Sequence, residues 1–376
     1  MSEGADILVV GAGVVGIAIA RALAAKRLEV YLIERNLLAG QEISSRNSGV
    51  IHSGIYYAPG SRKACLCVRG RGLLYDYCAE RGIAHQRVGK IVVAQEAQVQ
   101  SLHELHDRGL RNGVADLAWM TAEEVRRLEP VVRCAAGLLS PSTGIVDVHD
   151  LMIALHGGLE AGGGNVVFDA ELIAATSHRD GIVATVRSGA NVTEIACRWF
   201  INCAGLNALD LLRRIAGYPA NLLRPTHYAK GNYFVLHGAS PFRRLIYPMP
   251  NEAGLGIHAT LDLGGTTRFG PDVEWIDAPD YEVHPDRAGN FYTAIREYWP
   301  GIPAGSLQPG YAGIRPKLMG ENAGTADFEI EGPELHNVPG LINLLGIESP
   351  GLTASLALAE EVCDRVLSPA ATSGAG

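Results

Sequence analysis

Three glycines and one glutamate near the start of the chain have the types and the spacing that could hold a phosphorylated ligand. Gly11, Gly13 and Gly16 form the pattern G-x-G-x-x-G, and Glu34 follows eighteen positions after the last glycine. In this pattern the first glycine permits a tight turn, the second lets the backbone approach a pyrophosphate, and the third lets a helix pack closely on a sheet. A carboxylate about 20 residues further on binds a ribose hydroxyl and disfavours a 2′-phosphate, so NADP is not expected, whereas NAD and FAD both stay open.

These residues can bind such a ligand only if a strand, a helix and a second strand position them in that order. The apolar residues 7–10 precede the first glycine directly, residues 17–25 have helical composition, and the apolar residues 30–33 end on the glutamate. The first turn of that helix offers backbone N–H groups and a partial positive charge to phosphates. The order predicts a Rossmann-type βαβ unit.

Composition limits the remaining possibilities. A chain of 376 residues is long enough for two domains, and 47% hydrophobic with 19% charged residues is typical of a soluble globular protein. The net charge of −8 and the lack of a basic run argue against nucleic acid as a partner. The seven cysteines form no CxxC pair, so we expect no metal site and no disulfide framework, and a reducing compartment.

The start of the chain does not fit an export signal. Residues 1–6 carry acidic rather than basic side chains before the apolar run, and that run is accounted for by the nucleotide turn. No apolar stretch approaches the roughly 20 residues of a transmembrane helix. The expected location is therefore the cytoplasm, with peripheral attachment at the inner face of a membrane as a variant of it.

Two further stretches could face a bound dinucleotide. Residues 44–49 are small and polar, and the following segment contains His52; the stretch is either a solvated loop with one buried histidine or a backbone wall around a flat polar ligand. Residues 199–206 form an apolar strand that ends at Gly205, which is either a second ligand-facing turn or a plain structural turn.

The C-terminal stretch distinguishes between the two dinucleotides. An apolar strand at residues 341–346 leads through the turn 347–351 into a helical segment from Leu352 onward. An NAD domain does not need this second helix N-terminus. A flavin does, because its reduced form is negatively charged at N1 and C2=O, and a helix dipole stabilises that anion.

These segments together resemble a known family. The glycine pattern, S-S-R-N-S-G-V-I-H-S-G-I-Y-Y-A-P-G-S at 44–61, G-Y-A-G-I-R-P-K-L at 310–318 and N-L-L-G-I-E-S-P-G-L-T-A-S-L-A at 343–357 are similar to the L-2-hydroxyglutarate dehydrogenase/oxidase family. That family lies within the D-amino-acid-oxidase-like FAD-dependent oxidoreductases. The likeness spans nearly the whole chain, and its most specific segments are 44–61 and 343–357.

The resemblance implies an α/β protein with a Rossmann-type FAD domain and a second, mostly antiparallel sheet domain for the substrate. The FAD domain would comprise residues 1–87, 147–219 and 319–376, and the substrate domain residues 88–146 and 220–318. FAD would bind without a covalent link. The positions expected along it are Gly11, Gly13, Val15, Gly16, Glu34, Arg35, Ser45, Arg46, Asn47, Ser48, Val50, Leu172, Ala204, Gly205, Gly346, Ile347, Glu348, Ser349, Gly351 and Leu352.

The resemblance also implies a reaction, the oxidation of a small 2-hydroxy acid to the 2-oxo acid by hydride transfer to flavin N5. Histidine suits the base that takes the hydroxyl proton; His52 and His258 are the two candidates, and a satisfied core histidine is the alternative for each. Arg315 is the preferred clamp for the substrate carboxylate, against the alternative of a surface salt bridge. Lys230 and Tyr247 are further candidates for a second carboxylate.

The residues around Lys230 depart from the family pattern, since Lys230-Gly231-Asn232-Tyr233 stands where an arginine and a glutamate are expected. The resemblance over the rest of the chain nevertheless makes L-2-hydroxyglutarate or a similar acid the leading substrate. An amino-acid or secondary-amine oxidase of the same architecture is the alternative within flavoenzymes, and a non-catalytic flavin-binding redox sensor is the alternative outside them. Oxygen, a quinone or a carrier protein could each be the electron acceptor.

Overall fold

The computed structural model describes residues 3–250, 256–321, 323–324 and 326–368. Its helices are α1 (Val14–Ala24), α2 (Arg62–Arg81), α3 (Val99–Arg111), α4 (Ala122–Leu128), α5 (Val148–Ala161), α6 (Ala208–Leu212), α7 (Ala288–Arg296), α8 (Pro333–His336) and α9 (Gly351–Leu367). Its strands are β1 (Glu3–Val10), β2 (Val30–Ile33), β3 (Val50–Ile51), β4 (His85–Gln86), β5 (Lys90–Ala94), β6 (Ala118–Thr121), β7 (Ala136–Ser140), β8 (Gly144–Val146), β9 (Asn165–Val167), β10 (Ala170–His178), β11 (Gly181–Ser188), β12 (Asn191–Asn202), β13 (Ile215–Ala216), β14 (His227–Leu236), β15 (Leu245–Pro248), β16 (Ala259–Leu261), β17 (Thr267–Phe269), β18 (Glu274–Ile276), β19 (Leu307–Lys317), β20 (Glu329–Glu331) and β21 (Leu341–Leu345).

The chain divides into two units. The first contains the described residues up to Ser45, those of 148–227 and those from Arg315 onward; the second contains residues 46–147 and 228–314. Residues 46–87, expected from the resemblance in the FAD domain, make their contacts within the second unit. Which unit holds FAD and which holds the substrate stays a prediction.

The first unit is built on a mixed sheet in the order β13-β10-β11-β12-β1-β2-β9, with β21 beside β12. β1 pairs in parallel with β2 and β12, and β12 pairs in parallel with β21. The helix α1 packs against α5 and α9. The predicted βαβ unit is confirmed, because β1, α1 and β2 follow one another in the expected order.

The parallel pairing brings the ends of four separated segments to one sheet edge. Val10 lies opposite both Ile33 and Asn202, and Asn202 lies opposite Asn343. The carboxyl ends of parallel strands form the edge where α/β sheets bind ligands. The turns that follow β1, β2, β12 and β21 therefore belong to the same edge.

The second unit is built on a mostly antiparallel sheet in the order β18-β14-β17-β16-β15-β5-β7-β6, with β19 beside β14. The strands β5 and β15 of this sheet pair in parallel. Its core includes Phe234, Phe269, Phe291 and Tyr298. A small sheet in the order β3-β8-β4 carries the segment that leads to His52.

The mixed α/β architecture with a Rossmann-type unit and a largely antiparallel second sheet is the predicted fold class. Local boundaries differ in one place that concerns the site: the strand expected around His258 begins only at Ala259, and residues 254–255 of that expected strand lie outside the described residues. Within the described ranges, we find no helix that is both long enough and apolar enough to span a membrane.

Candidate active site

The first glycine turn of the first unit is shaped by close backbone approaches. Gly11 has φ +106°, and a Cβ atom there would lie 2.5 Å from the carbonyl oxygen of Cys203. A Cβ atom on Gly16 would lie 1.9 Å from the carbonyl oxygen of Gly11. Any larger side chain at either position must displace backbone. The turn after β12 thus lies directly against the turn after β1.

The N-terminus of α1 and the predicted acid lie at this turn. Gly13 caps α1 without a side chain, and the backbone N–H of Val14 donates to Ser44 Oγ at 2.9 Å. Glu34 is 8% exposed, and its Oε2 atom accepts a hydrogen bond from the backbone N–H of Ala12 at 2.8 Å. First-turn N–H groups and a carboxylate beside the glycine turn fit the ADP half of a dinucleotide.

Ser44 was not among the expected contacts. It belongs to the polar stretch 44–49, and its hydroxyl caps the helix whose N-terminus would face the phosphates. The signal in the sequence was a serine in a polar loop, which is too common to single out.

Three other positions expected along FAD lie just after β2 and β12, and their side chains or backbone have partners of different kinds. Arg35 forms an ion pair with Glu42. Gly205, at φ +54°, begins a single 3-10 turn over Gly205–Asn207. Ala204 is the residue before that turn, and its N–H donates to Asn202 Oδ1 at 3.2 Å.

Three further positions expected along FAD have surroundings that do not by themselves indicate a cofactor site. Val15 lies in the first turn of α1 and is half-buried, whereas Ser45 is exposed and donates to the carbonyl of Glu42. Leu172 is a core residue of β10, and its carbonyl accepts from Arg214. Only its backbone could serve a cofactor.

The turn after β21 positions a second helix N-terminus. Gly346 has φ +67°, and the turn leads to α9, which begins at Gly351 after the N-cap residue Pro350, whose side chain forms no capping hydrogen bond. The carboxylate of Glu348 binds Lys317 Nζ at 2.8 Å, which fixes the turn. The expected positions Ile347 and Leu352 are half-buried and Ser349 is exposed. The partial positive charge at the N-terminus of α9 suits the anionic end of a reduced flavin.

Arg315 lies on β19, two residues before Lys317, so both side chains are on the same face of the strand. Arg315 is half-buried, and within the described residues its guanidinium forms neither an ion pair nor a hydrogen bond. The surface salt bridge considered as the alternative is thus not seen in that part of the chain. A guanidinium in this state can bind a carboxylate through two parallel bonds.

In the second unit, the stretch that follows Ser45 is held by aromatic side chains. The guanidinium of Arg46 lies 4.2 Å from the ring centroid of Tyr281. The carbonyl of Asn47 accepts from the hydroxyl of Tyr311 at 2.6 Å, and its Oδ1 atom accepts from the N–H of Gly49. Ser48 is half-buried and Val50 is buried in β3. These contacts hold the stretch in place within its own unit, and its role along a ligand stays a prediction.

The two candidate histidines have different surroundings. His52 follows β3 and is partly exposed. Burial of its ring and the positive charge of Lys90 lower the pKa of His52 to about 3, so its imidazole is neutral at neutral pH. His258 is 6% exposed, and its ring stacks on Tyr247 with centroids 3.6 Å apart.

Lys90, the first residue of β5, is a part of this cluster that the sequence did not reveal. It is 1% exposed, and its Nζ atom lies 4.6 Å from the ring centroid of Tyr56 and 4.8 Å from that of Tyr247. Burial lowers its pKa to about 7. The signal in the sequence was one lysine at the edge of the apolar run Lys90–Ala94, which is typical of any strand terminus.

Lys230 has a partner within its own unit. Its side chain is fully buried, and its Nζ atom donates to Asp280 Oδ2 at 2.5 Å. The ion pair with Asp280 favours a structural role for Lys230, and its role as a substrate clamp stays a prediction.

Comparison with known proteins agrees with this geometry. The family model described as FAD dependent oxidoreductase matches residues 6–365. The chain is 42% identical to the mitochondrial L-2-hydroxyglutarate dehydrogenase of Arabidopsis thaliana, with 97% of this chain and 84% of the relative covered. It is 26% identical to the L-2-hydroxyglutarate dehydrogenase of Escherichia coli strain K12, with 96% and 93% covered.

A solved structure shows the same fold. The FAD-bound L-alpha-glycerophosphate oxidase of Mycoplasma pneumoniae superposes with a TM-score of 0.86 at 26% identity, with 97% of this chain and 95% of that chain covered. The glycine turn, the acid after β2 and the second helix N-terminus are the features that such a cofactor requires. The chain belongs to the FAD dependent oxidoreductase family, among the L-2-hydroxyglutarate dehydrogenases, and its cofactor is FAD.

Proposed function

We propose that this protein oxidises L-2-hydroxyglutarate to 2-oxoglutarate in an FAD-dependent reaction. The observation that carries the proposal is the 42% identity to the Arabidopsis L-2-hydroxyglutarate dehydrogenase over 97% of this chain. The E. coli relative of the same printed name supports it, since its similarity also covers 96% of the chain.

The first unit would hold the cofactor through its shared sheet edge. The glycine turn and the N-terminus of α1 would bind the pyrophosphate, Glu34 would bind the ribose, and the N-terminus of α9 would lie along the flavin ring. When bound, FAD supplies the hydride acceptor at its N5 atom.

His52 is our preferred base for the hydroxyl proton. Its neutral imidazole can accept a proton, and it is more exposed than His258, whose ring is covered by Tyr247. A pKa of about 3 makes His52 a weak base while no substrate is present. A carboxylate bound nearby favours the imidazolium form and raises this pKa toward the range in which a base works well.

Arg315 would orient the carboxylate next to the reacting carbon. Its guanidinium lacks an ion pair within the described residues and so needs no rearrangement to bind an anion. Two parallel N–H···O bonds to that carboxylate would fix the orientation of the neighbouring C–H bond.

The proposal is tested by anaerobic reduction of the bound flavin. L-2-Hydroxyglutarate should bleach the visible absorbance of the purified holoenzyme, whereas D-2-hydroxyglutarate, amino acids and secondary amines should leave it unchanged. Bleaching by the amines alone would select the amine-oxidase alternative. A flavin that no member of the panel bleaches would select the redox sensor.

The electron acceptor that reoxidises the flavin is a further part of the proposal. Oxygen, a quinone or a carrier protein could reoxidise the flavin, and stopped-flow mixing of the reduced protein with each acceptor ranks them by rate.

We also propose that the protein works in a reducing compartment, with the cytoplasm as first candidate, because all seven cysteines are free thiols. Fractionation of the source cells tests this location.

A further inference from the structure

The side chain of Lys90 is buried without an anion. The residue is 1% exposed, and within the described residues it forms no ion pair with a carboxylate. Burying an ammonium group without a counter-charge is strongly unfavourable, and such groups in proteins are normally paired. The ring faces of Tyr56 and Tyr247, at 4.6 and 4.8 Å from Nζ, compensate only in part.

The titratable groups that influence Lys90 do not supply the missing charge. His52 is neutral at neutral pH, and burial raises the pKa of the Cys67 thiol to about 12. Burial also raises the pKa of the phenols of Tyr56 and Tyr247 well above the usual range. All four groups are uncharged near pH 7, so the ammonium of Lys90 has no anionic neighbour among them.

A second donor beside Lys90 also lacks an acceptor. The hydroxyl oxygen of Tyr56 is buried and has no hydrogen-bond partner among the described residues, although its ring faces the ammonium. A buried hydroxyl without a partner is costly, like a buried charge. One anion with several acceptor oxygens would satisfy both Lys90 and Tyr56, and a carboxylate has the required shape and charge.

We propose that Lys90 and Tyr56 bind the distal carboxylate of the substrate and thereby select a 2-hydroxy acid with a second carboxylate. This inference rests on the proposed function, in which the substrate carries two carboxylates. The electrostatic influence of Lys90 on His52 places the subsite near the proposed base. Tyr247 then serves as an aromatic wall of the subsite.

The test compares two substrates of equal length in the holoenzyme. L-2-Hydroxyglutarate carries the distal carboxylate, and L-2-hydroxyvalerate carries a methyl group in its place. Lys90→Met should raise KM for L-2-hydroxyglutarate roughly 10- to 100-fold, the loss expected for a hydrogen-bonded charge. KM for L-2-hydroxyvalerate should stay within about 2-fold, and kcat for both substrates should change less than KM, since Lys90 does not touch the reacting bond.

Equal effects on both substrates, or no effect on either, would overturn the inference. If Lys90→Met gives no flavin-loaded protein, Lys90→Gln keeps a polar side chain of similar length and is measured in its place. Failure of the proposed function is recognised by a different result, in which neither substrate reduces the flavin of the wild-type protein. Titration with glutarate against butyrate, followed by the shift of the flavin absorbance, then still shows whether dicarboxylate affinity depends on Lys90.

Discussion

The large sheet of the second unit contains two buried lysines, and they differ in whether the described residues provide a carboxylate partner. Lys90 on β5 and Lys230 on β14 belong to the same sheet and are 1% and 0% exposed. Lys230 donates to Asp280, while Lys90 lies between Tyr56 and Tyr247 with no carboxylate bound within the described residues. Lys230 thus has a carboxylate partner in its own chain, whereas the described residues provide none for Lys90.

The region around Lys230 continues this pattern of internal pairing. Two residues further along β14, the side chain of Asn232 donates to Asp272 and to Glu274, and both of these carboxylates also bind Arg287. Polar groups in this part of the sheet stabilise one another. A buried charge with a partner in its own chain indicates a structural role, whereas a buried charge without such a partner indicates a ligand site.

The largest effect that can test this difference is the pH dependence of substrate affinity. Burial lowers the pKa of Lys90 to about 7, so the ammonium that binds the distal carboxylate is lost as pH rises above 7. KM for L-2-hydroxyglutarate should therefore rise about 50-fold between pH 7 and 9, since half of the ammonium is already lost at pH 7. Steady-state kinetics over this range measure it, with L-2-hydroxyvalerate showing the background from all other groups.

A variant with a permanent charge separates Lys90 from other titrating groups. Arginine stays protonated throughout this range, so Lys90→Arg should remove most of the extra rise in KM above pH 7. Equal pH profiles for the two substrates in the wild-type protein would contradict the idea that Lys90 must be charged to bind the dicarboxylate.

The next effect concerns stability without substrate, for which the two lysines should respond in opposite directions. Lys90→Met removes an unpaired buried ammonium and should raise the free energy of unfolding by roughly 1 to 4 kcal/mol. Lys230→Met removes a partner of Asp280 and should lower the melting temperature by a smaller amount, since that carboxylate is 51% exposed and water can replace the lysine. Thermal denaturation of the holoenzymes compares the two.

The sign of the Lys90 effect also depends on pH. The folded-state pKa of about 7 lies below the ordinary value of 10.5, so the cost of Lys90 is full below pH 7 and disappears as pH approaches 10.5. The gain from Lys90→Met should be larger at pH 6 than at pH 9. A loss of stability in this variant at pH 6 would mean that Lys90 is paired in the substrate-free protein.

Much of the first unit was predictable from the sequence because its signals are local. The glycines at 11, 13 and 16 and the acid at 34 lie within one βαβ unit, where spacing alone determines which groups meet. The turn after Leu345 could be recognised for the same reason. The hydroxyl of Ser44, which caps α1, was missed because its partner, the N–H of Val14, lies thirty positions earlier in the chain, and no local spacing rule connects the two.

The second unit was less predictable because its contacts are long-range. Lys90 lies on β5, which pairs with β15, and the ring of Tyr247 reaches it only through that pairing. Lys230 and Lys90 are both lysines on apolar strands, and the partner that separates their roles, Asp280, is fifty positions from Lys230. No spacing rule connects such residues, so the sequence offered Lys230 only as a further candidate behind Arg315 and did not single out Lys90.

The smallest effect concerns the hydroxyl group of Tyr56. Burial raises the pKa of this phenol, so it remains a neutral donor at every pH of the assays. Tyr56→Phe keeps the ring face near Lys90 Nζ and deletes only the hydroxyl, which has no hydrogen-bond partner among the described residues. KM for L-2-hydroxyglutarate should rise roughly 2- to 10-fold, as expected for one neutral donor, with KM for L-2-hydroxyvalerate unchanged. The free energy of unfolding without substrate should stay the same or increase slightly, because the variant removes a hydroxyl whose burial without a hydrogen bond is unfavourable. Kinetics and thermal denaturation of this single variant thus test whether Tyr56 acts on the distal carboxylate; a clear loss of stability with no change in KM would assign it to the core instead.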